Sequence, residues 1–363
     1  MPLKTFCEKD IFMANQVCQI SEQLFGKGLR GLRLENDLLA TSVLLEKGAD
    51  IYELIYKPQQ LDVLWKSPWG LKEPSRGFDS AFDSVTAWLE AYAGGWQVLF
   101  PNGGSPCTYK GAALGFHGEA SMLAWNYEIV EQSAQAAEVR LWARLFRSPF
   151  HIERHMRVEA GNPVLIIREK ITSTAGEAMD YMWSHHPAFG APFISEHCFV
   201  DTGAKTLLSD DGYVGTHNPL KVNTQYPWPQ ANGTDMAQVA GQNTPRDTLA
   251  YLQDFESAWY GITNTELGFG VGLVWDKNVF PYAWFWQEMH ASAGFPSYKA
   301  AYVMAIEPAS SIPGQGLLNV MEKTKSNRTL AAGKSEEIEL RVVFYESNKG
   351  INKIDANGTV HHK

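Results

Sequence analysis

Residues 139–150 read VRLWARLFRSPF, 151–160 read HIERHMRVEA, Gly161-Asn162-Pro163 follows, and 164–174 read VLIIREKITST. Val139, Leu141, Ala143 and Leu145 alternate with Arg140, Trp142, Arg144 and Phe146. A period of two places successive side chains on opposite faces of an extended chain, whereas a helix would need apolar residues every three to four positions. The same habit runs through His151–Ala160. Gly161-Asn162-Pro163 supplies the reversal, because glycine and asparagine tolerate turn dihedrals and proline presets one. The block therefore reads as a meander of antiparallel strands.

Working outward, the pattern repeats on both sides. Leu32–Pro58 holds apolar runs broken at Asn36-Asp37 and at Lys47-Gly48-Ala49-Asp50, two turn sequences. Trp96–Phe100 is a short strand running into Pro101-Asn102-Gly103-Gly104. Further strands are expected at Trp259–Thr263, at Phe269–Trp275 and over Ile338–Tyr345, where Ile338, Leu340, Val342 and Phe344 share a face. One short helix is expected around Ser84–Tyr92. Residues 209–248 are dense in Asn, Gln, Pro, Gly and Asp, and a loop of that length is uncommon without a function. No repeat and no linker-like shift in composition divides the chain. The reading is an N-terminal arm at 1–29, a single all-β domain at 30–346 forming a large antiparallel β-sandwich, and a polar, frayed tail at 347–363.

Composition excludes several classes. Of the 363 residues, 12 are Trp, 14 Tyr and 18 Phe, an aromatic excess that favours strands and clefts. Lys and Arg number 31 against 40 Asp and Glu, a formal charge of −9, which argues against a nucleic-acid partner. Cys7, Cys18, Cys107 and Cys198 are scattered, with no CxxC pair for a zinc site or disulfide framework. The first residues lack the apolar core of a signal peptide, and no run is long enough to span a bilayer. The expectation is a reduced, cytoplasmic protein with no membrane partner, either a monomer or a homodimer. Three sequon matches, at Asn232, Asn327 and Asn357, then read as chance.

No GxGxxG, Walker A, GxSxG or HExxH sequence is present, so no nucleotide, cofactor or metal is expected. His151 and His155 lie in the alternating block and read as a polar sheet face. His117 sits between glycines in Gly115-Phe116-His117-Gly118-Glu119 and reads as a turn residue or a ligand contact. His185 and His186, between Trp183 and Pro187, read equally as an acid/base site, a metal site with Glu307, or packing. Glu307 ends the apolar run Tyr302–Ile306. A buried carboxyl there has a raised pKa unless it is paired, which suits proton transfer near neutral pH; a salt-bridged strand end is the alternative. Tyr282, Trp284 and Trp286 alternate and share a face, as a stacking platform or a core stripe.

Taken in order, several segments resemble the aldose 1-epimerase (galactose mutarotase) family. Leu45-Glu46-Lys47-Gly48-Ala49-Asp50-Ile51 and Asp62-Val63-Leu64-Trp65 are similar to its opening strands. Phe100-Pro101-Asn102-Gly103-Gly104 resembles its Asn-Gly turn, and Phe116-His117-Gly118-Glu119 its His-Gly substrate loop. His186-Pro187-Ala188-Phe189 resembles its His-Pro-x-Phe element. Ile306-Glu307-Pro308, followed by Ile312-Pro313, resembles the strand bearing its catalytic Glu, and Leu330–Lys334 its closing turn. The resemblance spans about residues 30–346 and implies a galactose mutarotase-like supersandwich. It also departs from the family pattern. No Arg flanks the Asn-Gly turn, leaving Lys110 as the stand-in; His-Gly-Glu replaces His-Gly-Gly; and the sugar-contacting aspartate falls on Asp254 or Asp201.

The resemblance implies an isomerase that interconverts the α and β anomers of a free or modified sugar by acid/base ring opening. Glu307 would be the base and His186 the acid, with His185 as the alternative acid or a substrate contact. His117 and Asn102 would orient hydroxyls, and Trp284 and Trp286 would stack on the sugar. Two other readings keep the sandwich. A glycoside hydrolase or lyase would need a second carboxylate beside Glu307, from Glu119, Asp254 or Glu288. A non-catalytic sugar-binding protein would need none.

Overall fold

The computed structural model describes residues 17–26, 28–72, 81 and 83–363. Strand accounts for 49% of it and helix for 6%, so the fold is all-β. The expected meander forms as read. Ala136–Arg144, Phe150–Glu159 and Val164–Ser173 pair antiparallel, with Val139 opposite Met156 and Arg154 opposite Glu169. Val139, Leu141, Ala143 and Leu145 are buried, while Arg140 and Arg144 lie on the other face, where Arg140 pairs with Glu153.

These strands belong to an eight-stranded sheet. Its order is Cys198–Thr202, Trp259–Asn264, Phe269–Trp275, Ser335–Glu346, Val164–Ser173, Phe150–Glu159, Ala136–Arg144 and Asn126–Gln132. Opposite it lies a twelve-stranded sheet that begins with the hairpins from Gln19 to Tyr56. It continues through Trp96–Leu99, Ser184–Gly190, Tyr302–Ala309, Tyr282–Met289 and Arg246–Gln253, and ends at Thr206–Ser209 and Gln225–Pro227. The inner faces of both sheets supply one continuous apolar core, as a sandwich requires. At one end Asn36 stitches them together: its Oδ1 accepts from Leu38 and Leu39 N, and its Nδ2 donates to Glu159 O and Asn162 O.

A buried ion pair interrupts the core. Arg154 and Glu169 occupy apolar phases of neighbouring strands and are almost completely buried. Arg154 Nε donates to Glu169 Oε1 at 2.5 Å, and its Nη1 donates to Ala49 O at 2.7 Å, on the other sheet's side. Trp183 Nε1 donates to Glu169 Oε2 at 3.2 Å, and His185 Nε2 lies 3.1 Å from the same oxygen. Burial alone would raise the Glu169 pKa. His185 and Arg154 beside it outweigh that and hold it at about 2.

The ends of the chain differ from expectation. Much of the expected arm lies outside the described residues, but Gln19–Phe25 is an edge strand paired with Leu29–Glu35. After Ser347 the chain is not frayed: Ile351–Ile354 and Val360–His362 form a hairpin. Ile351 and Ile354 pack against Val164, Trp259, Val274 and Val343 on the outer face of the eight-stranded sheet. The helix expected near Ser84 forms over Ser84–Ala91, capped by the Asp83 carboxylate, which accepts from Val85 N and Thr86 N. A second short helix, Leu317–Lys323, was not anticipated. Residues 210–245 hold only the short strands Gln225–Pro227, Gln230–Ala231 and Thr234–Asp235. Cys18, Cys107 and Cys198 are free; Cys7 lies outside the described residues. No helix among the described residues is long and apolar enough to cross a membrane.

Arg154→Leu should lower the unfolding free energy by about 3–5 kcal/mol, because it strands the Glu169 charge in the core. Adding Glu169→Gln should recover part of the loss. Urea unfolding of both variants checks this, and a single-variant loss below about 1 kcal/mol would contradict the clamp.

Candidate active site

Ser184–Gly190 runs between Trp96–Leu99 and Tyr302–Ala309. Neighbouring residues point to opposite faces of a strand, so His185 and His186 part company. His185 turns into the core: its Nδ1 accepts from Trp96 Nε1 at 3.0 Å, leaving Nε2 as the protonated nitrogen towards Glu169. His186 turns outward into a cavity of about 600 Å³. Ser184 pairs with Ala309 and Ala188 with Ala305, which sets His186 across from Glu307. Trp284 in turn pairs with Glu307 on the next strand. His186, Glu307, Trp284 and Trp286 therefore share one face and all line the cavity.

His186 Nε2 stands 3.6 Å from Glu307 Oε1. Glu307 is 2% exposed and His186 6%. Burial raises the Glu307 pKa well above the carboxylate range and lowers that of His186 to about 4. Burial thus favours the uncharged form of both groups, which places the proton they share on the carboxyl. Glu307 Oε2, His186 Nδ1 and the hydroxyl of Tyr92, which also lines the cavity, are buried with no hydrogen-bond partner in the described protein. Most buried polar atoms are paired, so three unpaired ones around one cavity are unusual.

His117 reaches the same cavity from a tight loop. Its backbone is left-handed at φ 57°, its N donates to Gly104 O at 3.0 Å, and its Nδ1 accepts from Gly104 N at 3.0 Å. The accepted bond leaves Nε2 as the donor. Gly104 has φ +76°, and a Cβ there would meet Gly314 O at 1.8 Å, so this clamp needs glycine. Burial, and then the nearby His186, push the His117 pKa well below its ordinary value. Its ring lies 5.9 Å from that of His186 and 4.6 Å from Trp88.

The other expected contacts are elsewhere. His185 is a core residue. Asn102 is fully buried and fully used: Nδ2 donates to Ser105 O and Gly115 O, and Oδ1 accepts from Leu317 N. It shapes the loop that carries Gly104. Lys110 is paired with Glu177 on a different surface. Asp254 accepts from Thr206 beside Tyr282, also away from the cavity, and Asp201 receives Ile351 N in the C-terminal hairpin. Glu119 and Glu288 are not second carboxylates for a glycosidase. Glu119 accepts from the amides of 146–148, Glu288 from Ala291 N and Ser292 N, and neither lines the cavity. With His185 in the core, His185, His186 and Glu307 do not converge on a metal.

Two groups went unforeseen. Asp210 lines the cavity and accepts from Gly212 N, Tyr213 N, Gln315 Nε2 and the Tyr251 hydroxyl. Its signal was the Asp210-Asp211-Gly212 turn opening the long irregular segment. Tyr92 is the other; it follows Trp88 by one helical turn, so both aromatics face the cavity.

Comparison with solved structures agrees with this architecture. A galactose mutarotase-like protein from Clostridium acetobutylicum aligns over 92% of this chain and 100% of its own, at 15% identity and a TM-score of 0.65. One from Lactobacillus casei covers 87% and 100% at 17% identity and 0.60. A galactose mutarotase related enzyme from Lactobacillus acidophilus covers 89% and 100% at 15% identity and 0.59. At such identities the likeness is one of fold. A search of curated proteins finds no match. The family described as "Domain of unknown function (DUF4432)" matches residues 26–343. The chain therefore belongs to the DUF4432 family and carries it on a galactose mutarotase-like sandwich.

Proposed function

We propose that this protein is a mutarotase, interconverting the anomers of a neutral aldose with Glu307 and His186 as its acid/base pair. The observation that carries the reading is the pair itself: two buried titratable groups 3.6 Å apart, each with an unpaired polar atom, in one aromatic cavity. Anomer exchange needs a base for the anomeric hydroxyl proton and an acid for the ring oxygen, on neighbouring atoms of one ring. Ring closure on the other face reverses both transfers. Each positioned group is worth about 10²–10⁴-fold.

With Glu307 as base and His186 as acid, the productive form is carboxylate plus imidazolium. It holds the same single proton as the resting pair, moved to the other partner. Sugar hydroxyls that donate to Glu307 favour this form, as hydrogen bonds to a carboxylate do generally. His117 Nε2 and the Tyr92 hydroxyl are the donors available to orient the ring, and Trp284 and Trp286 offer faces for its C–H side. The described lining holds two carboxylates, Asp210 and Glu307, and no Lys or Arg, which favours a neutral sugar over a phosphorylated one.

Glu307→Gln and His186→Asn should each lower catalysed exchange by at least about 10²-fold, read by polarimetry or NMR exchange on a panel of free aldoses. A wild-type rate in either variant would remove that residue from the pair. The pH profile follows from the single shared proton. Below about 4 His186 is charged and no acceptor remains; above the raised Glu307 value the shared proton is gone and no acid remains. The expected kcat/KM is flat through neutrality, and an acid limb at the ordinary histidine value would contradict it.

Stability supplies a readout that does not depend on the substrate. A folded pKa above the unfolded one gives stability at low pH that is lost as pH rises from the unfolded value, about 4.3 for Glu. Glu307→Gln escapes that loss. Its Tm should exceed wild type by a margin that widens from pH 4 to pH 7; a constant or reversed margin would mean that Glu307 is not buried uncharged.

A further inference from the structure

We propose that the rim of this cavity carries an outer sugar subsite built on Trp69, which takes the non-reducing ring of a neutral disaccharide whose reducing ring lies at His186 and Glu307. The orientation of the inner ring rests on the mutarotase reading; the subsite itself rests on the rim. The first observation is size. About 600 Å³ lies in the middle of the roughly 300–1,000 Å³ range of pockets that enclose drug-sized ligands, which are bulkier than one hexose.

The second is what borders the extra space. Trp69, Pro296 and Ser297 line the mouth of the same cavity. Trp69 is 60% exposed and Tyr298, in ring contact with it, 58%, a pair of large aromatics on two loops in a protein that buries most of its other described aromatics. Contiguous exposed apolar surface of this kind marks a contact site. A pyranose suits it, because the ring offers a C–H face to an indole and hydroxyls to Ser297.

The third is rigidity. Trp69 Nε1 donates to Pro296 O at 3.0 Å, and the Trp69 ring meets Tyr298 edge-on at 5.7 Å. The loop beneath is tied down: Glu288 Oε1 accepts from Ala291 and Ser292 N, His290 Nδ1 contacts Lys299 O at 2.8 Å, and Tyr298 N donates to Gly294 O at 2.7 Å. Tyr298 and Lys299 are both left-handed, at φ 45° and 57°. Consecutive non-glycine residues stay in that region only where their surroundings enforce it, and such strain gathers at ligand sites. An exposed aromatic held at a fixed angle binds with little ordering cost.

Calorimetric titration of the full chain with cellobiose, maltose and lactose, against glucose and galactose, tests this whether or not exchange is catalysed. At least one disaccharide should bind about tenfold tighter than its own reducing-end monosaccharide. Trp69→Ala should bring that ratio close to one, and Trp69→Phe should keep most of it; Trp69 is exposed, so folding is not at stake. A ratio near one in the wild type, a ratio unchanged in Trp69→Ala, or no binding of any disaccharide overturns the subsite. Exchange measured on the same sugars separates the two claims. Catalysed exchange of monosaccharides without the ratio leaves the mutarotase standing and removes the subsite. The ratio without exchange does the reverse.

Discussion

The structure depends on how it treats two buried carboxylates. Glu169 and Glu307 lie in facing sheets and are equally hidden from water. Glu169 meets a guanidinium, an indole N–H and an imidazole, and its charge is fully supported. Glu307 meets only a neutral imidazole at the edge of hydrogen-bonding range. Burying an ionised group without partners is prohibitive, so the first is held charged and the second uncharged. The supported carboxylate fastens the sheets beneath the His strand, and that fastening allows the unsupported one to persist. A polar group kept unsatisfied needs a frame that cannot relax around it.

The strands of the meander and their pairing were legible, because period-two alternation over 139–174 leaves no helical option and Gly161-Asn162-Pro163 forces antiparallel return. The pairing of His186 with Glu307 was legible only through family resemblance. Nothing local to His186 or Glu307 says that they meet, since 121 positions separate them and sheet order brings them together. Glu307 did carry a physical sign of its own, a carboxylate ending a fully apolar run.

Where sequence reading failed, it failed for definable reasons. His185 and His186 could not be told apart without knowing which face of their strand was the inside. Asn102 sat beside the right residues in the chain, but its amide is consumed in holding the loop. Arg154 carried an unread sign: a charge in phase with Ile152, Met156 and Val158 belongs to the interior and must have a partner there. The C-terminal hairpin was hidden by composition, because two isoleucines among polar residues suffice to dock it when they fall on one side.

The alternation along Ser184–Gly190 has an evolutionary side. Core and cavity take consecutive codons here, one histidine facing each, so the strand cannot gain or lose a residue without exchanging them. A shift by one would send the imidazole that braces Glu169 into the cavity and turn the one beside Glu307 into the core. Point substitution can explore this site; insertion and deletion cannot. Divergence within the family would then be expected to concentrate in the loops around the mouth, leaving the length of this strand unchanged.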